Sequence, residues 1–368
     1  MAKTYLKRIS FSVASPDRIL VILTLVLTVV GFLMMTNASV VQAQNLFGDK
    51  FFFAKQQLMW VGVGITGFLI SSRVPYTFWR ALASPIFFIT LGLLVVVLIP
   101  QIGSHALGAR RWIELAGVTF QPAELAKLAI ILYSARWLSG SQIKEGRKYL
   151  LFFGLLFLVC ALILLEPDLG TAVVVAITAL SMLFFAGIPL YFFAGLLPIA
   201  ALSGLILIMI SSYRKERFLS FLQSLIDPLQ ASYHVKQILI AIASGGLLGV
   251  GLGQSRQKFL FLPEATTDSI FAVMAEEVGF IGALALILVF AGLISRIFLI
   301  AKSVDEKYAK MVAGGVGVWL GSQIFINIAA MTATLPLTGI PLPFFSYGGS
   351  ALVMNLFSLG MVANISKR

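Results

Sequence analysis

Cysteine and histidine are almost absent from this sequence. Its 368 residues include one cysteine, Cys160, and two histidines, His105 and His234. A single cysteine excludes a disulfide framework, and so few Cys and His residues exclude a zinc site built from them. The sequence therefore predicts neither a disulfide-stabilised secreted domain nor any metal-ligating residue.

Charged residues are also scarce. They make up 11% of the chain, against about 25% in a typical soluble domain, and 59% of the residues are hydrophobic. This composition excludes an ordinary soluble protein. Apolar runs long enough to cross a hydrocarbon core of roughly 30 Å recur along the whole sequence. We therefore expect an all-α polytopic membrane protein.

The apolar runs predict about ten membrane-spanning helices in a single membrane domain covering 1–368. The segment 1–17 is a basic leader. Because no small-residue cleavage site follows the first apolar run, we interpret that run as a retained anchor. The expected spans are 18–36, 56–72, 82–100, 121–138, 149–165, 170–187, 190–211, 276–300, 310–331 and 349–365.

The positions of Lys and Arg predict the orientation of the chain. With the N-terminus in the cytoplasm, most basic residues fall on the cytoplasmic side, as the positive-inside rule expects. No basic block resembles a nucleic-acid patch, so the net charge of +12 mainly reflects topology. Both termini are predicted to be cytoplasmic.

The segment 212–275, between the seventh and eighth spans, is predicted to lie on the outer face. It contains an amphipathic helix interrupted at Asp227–Pro228, then a second apolar helix that ends in a glycine-rich turn at 245–253. Such structure is stable at membrane depth only where it lines a cavity or packs on protein. The cations at 214–217 are either solvated or bind an anionic group such as a phosphate-bearing lipid head group.

The start of the fourth span combines several charged residues. Gln121–Pro122 is typical of a helix start, and Glu124 and Lys127 lie three residues apart on one helical face. Because charge is costly within a bilayer, the pair is expected to face the bundle interior, either as a packing ion pair or as part of a site. Arg110 and Arg111 just before it are candidates for holding a pyrophosphate as fork donors.

Two further segments contain turn-forming residues. In "EPDLG", residues 166–170, Asp168 is expected to cap the following helix, a role we favour over catalysis for Glu166 and Asp168. In "PLTGIPLPFFSYGG", residues 336–349, the prolines exclude a regular helix and the final two glycines permit a sharp turn. This segment is either the re-entrant wall of a cavity or a rigid loop without a ligand.

Acidic residues are rare, yet they concentrate in the stretch "LPEATTDSIFAVMAEEVGFIG", residues 262–282. Asp268 precedes an apolar run, and Glu276 follows about two helical turns later, so one face would carry both. A partly desolvated carboxylate at the mouth of a membrane cavity has a raised pKa and is a better general base. The alternative is structural: Asp268 caps the helix, and Glu276 or Glu277 pairs with a basic group. Glu264 has no assigned role.

Four motifs, in this order, resemble the SEDS family of shape, elongation, division and sporulation proteins, typified by FtsW and RodA. They are "GARRWI…FQPAELAK", "EPDLGTA", "GLGQSRQKFLFLPEATTDSIFAVMAEEVGFIG" and "PLPFFSYGGSAL". The resemblance covers essentially the whole chain, and the run "SRQKFLFLPEA" is closer to the FtsW division branch than to the elongation branch. It implies a multi-pass protein of the bacterial inner membrane that polymerises peptidoglycan glycan strands at the outer face.

The resemblance also implies a substrate, partners and site residues. The substrate is lipid II, a disaccharide-pentapeptide on an undecaprenyl pyrophosphate carrier. The partners are a class B penicillin-binding protein, which is the crosslinking transpeptidase, and other division or elongation machinery. The catalytic aspartate of the family motif "TD" falls on Asp268. Substrate-binding roles are expected for Arg110, Arg111, Glu124, Lys127, Arg256, Lys258, Ser346, Gly348 and Gly349.

These expectations lead to a hypothesis for the reaction. Asp268 takes the proton from the acceptor hydroxyl, and the arginines, with a divalent cation (Mg or Mn) as a candidate cofactor, stabilise the departing pyrophosphate. The family commonly has "HTDFIF" where this chain has "TTDSIF", so Thr266 and Ser269 replace a histidine and a phenylalanine. A proton relay through that histidine is therefore absent here.

Two other functions fit part of the pattern. A lipid II flippase also needs interior charges, but it should carry polar residues along a full path between the leaflets. Here the polar motifs cluster at the outer ends of the spans. A non-catalytic scaffold for the penicillin-binding protein would not need Asp268, Arg110 or Arg111. We therefore favour the polymerase.

Overall fold

The computed structural model describes residues 15–106, 109–115, 118–140, 146–227, 230–259 and 261–367. Helices dominate this part of the chain. They are α1 (Arg18–Phe47), α2 (Phe52–Arg73), α3 (Tyr76–Val97), α4 (Pro122–Gly140), α5 (Gly146–Leu165), α6 (Leu169–Phe185), α7 (Leu190–Ile210), α8 (Ser212–Ile226), α9 (Tyr233–Gly245), α10 (Ile270–Ser303), α11 (Lys307–Met331) and α12 (Gly349–Ile365).

A small sheet corrects the all-α prediction. β1 (Gly103–Ala106), β2 (Ala109–Leu115) and β3 (Val118–Phe120) pair in that order as an antiparallel sheet between α3 and α4. Trp, Ile, Val, Thr and Phe in this segment favour strands. The apolar-run analysis missed them because these strands are much shorter than a membrane span.

Each of the ten predicted spans coincides with a helix of the structure. Five helices are long and apolar enough to cross a membrane by length and composition: α1, α3, α7, α10 and α11. Three shorter apolar helices, Leu151–Leu165 within α5, α6 and α12, accompany them. The helical class and the positions of the helices are thus confirmed, and the number of spans stays a prediction.

Helix α4 lies at the centre of the bundle. It packs against α3, α6, α11 and α12, and most of its residues are buried. A helix that is apolar on all sides is expected in such a position, because it has no face that needs water. Its first turn carries Glu124, so the central helix brings charge into the protein interior.

The two ends of the described chain lie side by side. The backbone amide of Asp17, at the start of α1, donates to Ser366 Oγ just after α12 at 2.9 Å. The Asp17 carboxylate also pairs with Arg296 on α10. The side of the membrane on which the termini lie stays a prediction. Most of the predicted leader falls in residues 1–14, outside the described residues.

The glycine-rich turn at 245–253 packs into a break in α10. Gly279 has φ +68° and ψ −173°, and a Cβ there would lie 2.3 Å from the Gly249 nitrogen. Four backbone hydrogen bonds join the two segments, including Val250 N to Glu276 O at 3.0 Å. These glycines allow two backbones to touch, which explains their number without a ligand.

The segment 212–275 contains two helices before α10 begins. Helix α8 ends at Ile226 with Asp227 as its C-cap, and Ser232 caps α9, which ends at Gly245. The predicted helix break is therefore confirmed at Asp227, while Pro228 lies outside the described residues. Beyond α9, the described residues 246–259 and 261–269 form turns and irregular structure, and α10 begins at Ile270 with Ser269 as its N-cap.

Candidate active site

Asp268 lies at the end of the irregular segment that leads into α10. The backbone of the two residues before it contacts the proline-rich segment before α12. Tyr347 N donates to Thr266 O at 2.8 Å, and Ser346 Oγ donates to Thr267 O at 2.5 Å. The two motifs that the sequence singled out are therefore in direct contact around Asp268.

The Asp268 side chain is half-buried against Gly339 of the proline-rich segment. A Cβ at Gly339 would lie 3.3 Å from Asp268 Oδ2, and Gly339 has φ +73°. Burial, followed by the negative charge of Glu264, raises the pKa of Asp268 to about 7. A carboxylate with this pKa is well matched to general-base work near neutral pH.

Arg111 fixes the "EPDLG" turn next to this carboxylate. Its Nε donates to Glu166 O at 2.9 Å and its Nη2 to Pro167 O at 2.6 Å. The charges of Arg111 and Asp168 both act on Asp268. Asp168 caps α6, accepting from Thr171 N at 2.9 Å and Thr171 Oγ1 at 2.8 Å, so its predicted capping role is confirmed.

The two loop arginines lie at an irregularity of β2. Ser104 pairs with Trp112 and His105 with Arg110, which leaves Arg111 as the extra residue of a β-bulge. A bulge disturbs the regular alternation of side chains along a strand. Arg111 contacts the turn at 166–167, and the binding of one pyrophosphate by both arginines stays a prediction.

Glu166 is a buried carboxylate with neither oxygen hydrogen-bonded. Burial, followed by the charge of Asp168, raises the pKa of Glu166 to about 8. It is therefore mostly protonated at pH 7. This reduces negative charge near Asp168 and agrees with our preference for a structural role of Glu166.

Arg217 on α8 and His234 on α9 lie near Asp268. The His234 imidazole is 2.8 Å from Ser269 Oγ, the residue after Asp268, and the charge of Arg217 acts on both Asp268 and His234. Burial lowers the pKa of His234 to about 4, so the ring is neutral. The motif "TTDSIF" lacks the histidine that is common in the family, but His234 of α9 lies beside it. His234 was not among the predicted site residues, whereas Arg217 is one of the cations at 214–217 for which the sequence left open solvation or binding of an anionic head group.

A cavity of about 810 Å³ extends from these two residues. Its walls come from the end of α7, from α8, from the start of α9 and from the end of α11 with the segment after it. Among its lining residues are Lys215, Arg217, His234 and Leu337. The cavity is large enough for a small-molecule head group.

Glu124 and Lys127 form a buried ion pair of 2.7 Å within the bundle. Lys127 Nζ also donates to Gln323 Oε1 at 3.0 Å and lies 5.3 Å from the centre of the Trp319 ring. Pairing toward the bundle interior is therefore confirmed. All these contacts are made within the protein, so the structure shows the packing role for the pair and no open substrate surface.

Lys258 is similarly engaged at a second buried cluster. Its ammonium contacts Gly253 O at 2.6 Å, Asn37 Oδ1 at 3.0 Å and Glu277 Oε1 at 3.3 Å. Lys258 is therefore part of a buried ion pair with Glu277, and its substrate-binding role stays a prediction.

Glu276 and Arg256 lie at the same second cluster. The Glu276 carboxylate accepts from Ser255 Oγ, from Ser244 Oγ at 3.3 Å and from the Arg256 backbone amide at 3.2 Å, while the Arg256 side chain is exposed. Because Asp268 precedes α10 and Glu276 faces the 255–257 segment, the two do not share one face, contrary to expectation. The structural reading of Glu276 and Glu277 holds.

Residues of the proline-rich segment make hydrogen bonds and close packing contacts within the protein. The buried Ser346 hydroxyl accepts from Leu342 N at 2.7 Å while it donates to Thr267 O. A Cβ at Gly349 would lie 2.1 Å from the Trp60 ring, so this glycine permits α12 to pack on α2. Ser346 and Gly349 therefore make structural contacts, and their predicted contact with substrate stays a prediction. Gly348 precedes α12 as its N-cap residue in extended backbone.

The described residues contain no group of three or more His, Cys, Asp or Glu side chains that would hold a metal ion. Mg²⁺ commonly binds to one or two carboxylates together with substrate phosphates. The described part of the chain thus does not form a complete metal site by itself.

The chain is similar to known proteins along nearly its whole length. Residues 17–368 match the family of cell cycle proteins FtsW, RodA and SpoVE. This chain belongs to that family. The chain is 41% identical to stage V sporulation protein E of Bacillus subtilis, covering 96% of this chain and 97% of that protein. It is also 41% identical to a probable peptidoglycan glycosyltransferase FtsW of Coxiella burnetii, covering 96% of each.

Solved structures of FtsW/RodA-family proteins have the same fold as this chain. One chain of a peptidoglycan synthase complex, described as coordinating polymerization and crosslinking, superposes with a TM-score of 0.78 at 29% identity, covering 95% of this chain and 97% of that one. The rod shape determining protein RodA of Thermus thermophilus superposes with a TM-score of 0.71 at 28% identity, covering 95% and 96%. The likeness extends along nearly the whole chain.

Proposed function

We propose that this chain is a peptidoglycan glycosyltransferase that polymerises glycan strands from lipid II. Relatives of nearly the same length carry the name peptidoglycan glycosyltransferase FtsW. The observation that carries the proposal is the position of Asp268 in the family motif: its carboxylate lies against Gly339, within the field of Arg111 and Arg217, and burial raises its pKa to about 7. A catalytic base needs this combination of basicity and position.

In the proposed reaction Asp268 accepts the proton of the acceptor sugar hydroxyl. The hydroxyl oxygen forms a bond to the anomeric carbon of the donor, and the bond from that carbon to the pyrophosphate oxygen breaks. The pyrophosphate leaves with the electron pair on its lipid carrier. Attack from the opposite side inverts the anomeric centre. One base is sufficient because the pyrophosphate is a good leaving group.

Arg111 and Arg217 would stabilise the pyrophosphate as negative charge develops on it. Both act electrostatically on Asp268, so a ligand contacting the carboxylate also lies in the field of these two guanidinium groups. Arg110 and Arg256 remain candidates for contacts farther along the head group. The proposed reaction does not require a metal ion. That a divalent cation (Mg or Mn) helps to stabilise the departing pyrophosphate stays a separate prediction.

The proposed setting is the bacterial inner membrane, crossed about ten times, with both termini in the cytoplasm and Asp268 on the outer face. Asp268 and the 810 Å³ cavity lie on the segments that the positive-inside pattern predicts to be external. The likeness to a complex that coordinates polymerization and crosslinking supports a class B penicillin-binding protein as the partner. The FtsW names among the relatives support the division branch.

Reconstitution tests this function against the flippase and scaffold alternatives. Purified protein in vesicles with lipid II and its partner transpeptidase should form glycan strands. Asp268→Asn should form none while still binding the partner, whereas Glu114→Gln, which alters an exposed carboxylate on β2, should behave as wild type. Movement of lipid II across the vesicle membrane without any polymer would contradict the proposal and favour a transporter. Binding of the partner with neither polymer nor transport would favour a scaffold.

A further inference from the structure

The backbone carbonyls of three consecutive residues around Asp268 each accept a hydrogen bond from outside their own segment. Tyr347 N binds Thr266 O, Ser346 Oγ binds Thr267 O, and Asn327 Nδ2 binds Asp268 O at 2.9 Å. The first two donors come from the proline-rich segment. The third comes from α11, so a separate helix holds the catalytic residue itself.

Asn327 also contacts a second segment of the chain. The same Nδ2 donates to Ile340 O at 2.7 Å, and the residue is about 1% exposed. One amide group therefore holds both Asp268 and the residue after Gly339, against which the Asp268 carboxylate lies. A side-chain amide has two N–H donors, and here both have an acceptor.

Gln323 repeats this arrangement one helical turn earlier on the same face of α11. Its Nε2 donates to Pro341 O at 3.0 Å. Its Oε1 accepts from Lys127 Nζ at 3.0 Å and from Trp319 Nε1 at 2.9 Å. Gln323 thus connects the buried Glu124–Lys127 pair with the residue that follows Ile340.

We infer that Asn327 is a positioning residue for Asp268, and that Gln323 links the Glu124–Lys127 pair to the same segment. The inference rests on the proposed role of Asp268 as the base. Proton transfer requires the base within hydrogen-bond reach of the acceptor hydroxyl, and displacements of about 1 Å reduce rates strongly. Asp268 lies in irregular backbone, so its position depends on contacts from regular elements. The side-chain amides of Asn327 and Gln323, here called the amide ladder, supply these contacts from α11.

The first test replaces Asn327 by leucine, which has a similar size and no donor. We expect kcat for glycan polymerisation to fall by about tenfold or more while KM for lipid II stays within about twofold, since positioning acts on the transition state. Asn327→Ser, whose hydroxyl is too short to hold both carbonyls, should act in the same direction if the leucine variant does not fold.

Asn364 provides the matched control. It is also a buried asparagine, donating to Ser72 O at 3.0 Å and accepting from Tyr76 N at 3.1 Å, but it lies at the far end of α12 beside the described termini. Asn364→Leu removes hydrogen bonds of the same kind. It should lower thermal stability as much as Asn327→Leu does, and it should leave kcat unchanged.

Hydrogen exchange gives a readout that does not depend on activity. In the full-length protein, Asn327→Leu should increase amide exchange in 262–272, and Asn364→Leu should not. If the wild type makes no glycan, the proposed function fails, while this exchange measurement still decides whether Asn327 holds the segment. Unchanged exchange at 262–272 would overturn the inference, as would a kcat within about twofold of wild type in a folded Asn327 variant.

A double-mutant cycle tests the link through Gln323. If the ladder acts as a unit, combining Gln323→Met with Asn327→Leu should lower kcat by clearly less than the product of the two single effects. Effects that multiply fully would show that Gln323 acts independently, and that part of the inference would be withdrawn.

Discussion

At the scale of the residue, Asp268 is ionised at a cost to the folded protein. Its pKa is raised to about 7 by burial and by Glu264, while an unfolded aspartate titrates near about 3.9. Between these values the folded state binds more protons than the unfolded state. The contribution of Asp268 to stability therefore declines as the pH rises from about 4 to 7.

Asp268→Asn removes this pH dependence. At pH 8 the folded wild type carries a charge on Asp268 and the variant does not, so we expect the variant to melt at the higher temperature. At pH 5 the difference should be smaller, because Asp268 is then mostly protonated in the folded wild type. Thermal melting of both proteins in lipid nanodiscs measures this. A variant that is less stable than wild type at pH 8 would show that Asp268 is stabilised as an anion.

Gly339 should be needed for the position of the Asp268 carboxylate. A methyl group there would crowd Asp268 Oδ2 and would also impose a positive φ on alanine. Gly339→Ala should lower the polymerisation rate by about tenfold. Gly48→Ala is the matched control, because Gly48 has φ +68° and no neighbour within 4 Å. Equal losses of activity in both variants would contradict this reading.

At the scale of the element, the contacts that Arg111 makes from strand β2 to the turn at 166–167 should make Arg111 more important than Arg110. Lysine keeps the charge but lacks the planar fork that contacts Glu166 O and Pro167 O. Arg111→Lys should lower kcat/KM by about tenfold, the worth of a charged hydrogen bond, and Arg110→Lys should have a smaller effect. Comparing both variants at matched protein levels measures this. A larger loss in Arg110→Lys would contradict the assignment.

The break in α10 should tolerate no side chain. Gly279→Ala would push a methyl group into the backbone at Gly249 and destabilise the fold by at least about 3 kcal/mol. Gly292→Ala, also on α10, meets only Leu23 Cδ1 at 3.9 Å and should be neutral or slightly stabilising. Melting temperatures in detergent report both. A stable Gly279→Ala protein would contradict the close contact.

At the scale of the whole molecule, the sequence predicted what depends on periodicity and composition. The apolar runs located every long helix, and the turn residues located the end of α8 and the cap at Asp168. The small sheet was missed, and with it the β-bulge at Arg111, because its strands are much shorter than a membrane span.

The residues that contact Asp268 show why the rest of the site could not be predicted from the sequence. Asn327 and Gln323 lie in an apolar helix and carry no charge, so nothing in their spacing marks them as functional. Their importance comes from contacts between segments far apart in the chain, such as Asn327 with Asp268. The same holds for His234, which reaches Ser269 only through the fold.

The most direct test of the central claim is the initial rate of lipid II polymerisation by the reconstituted protein from pH 5 to pH 9, with wild type and Asp268→Asn side by side. If Asp268 is the base, kcat/KM of the wild type should rise with pH through an apparent pKa near 7 and then level off. Asp268→Asn should be inactive at every pH. An Asn variant that polymerises with the wild-type profile would contradict the account.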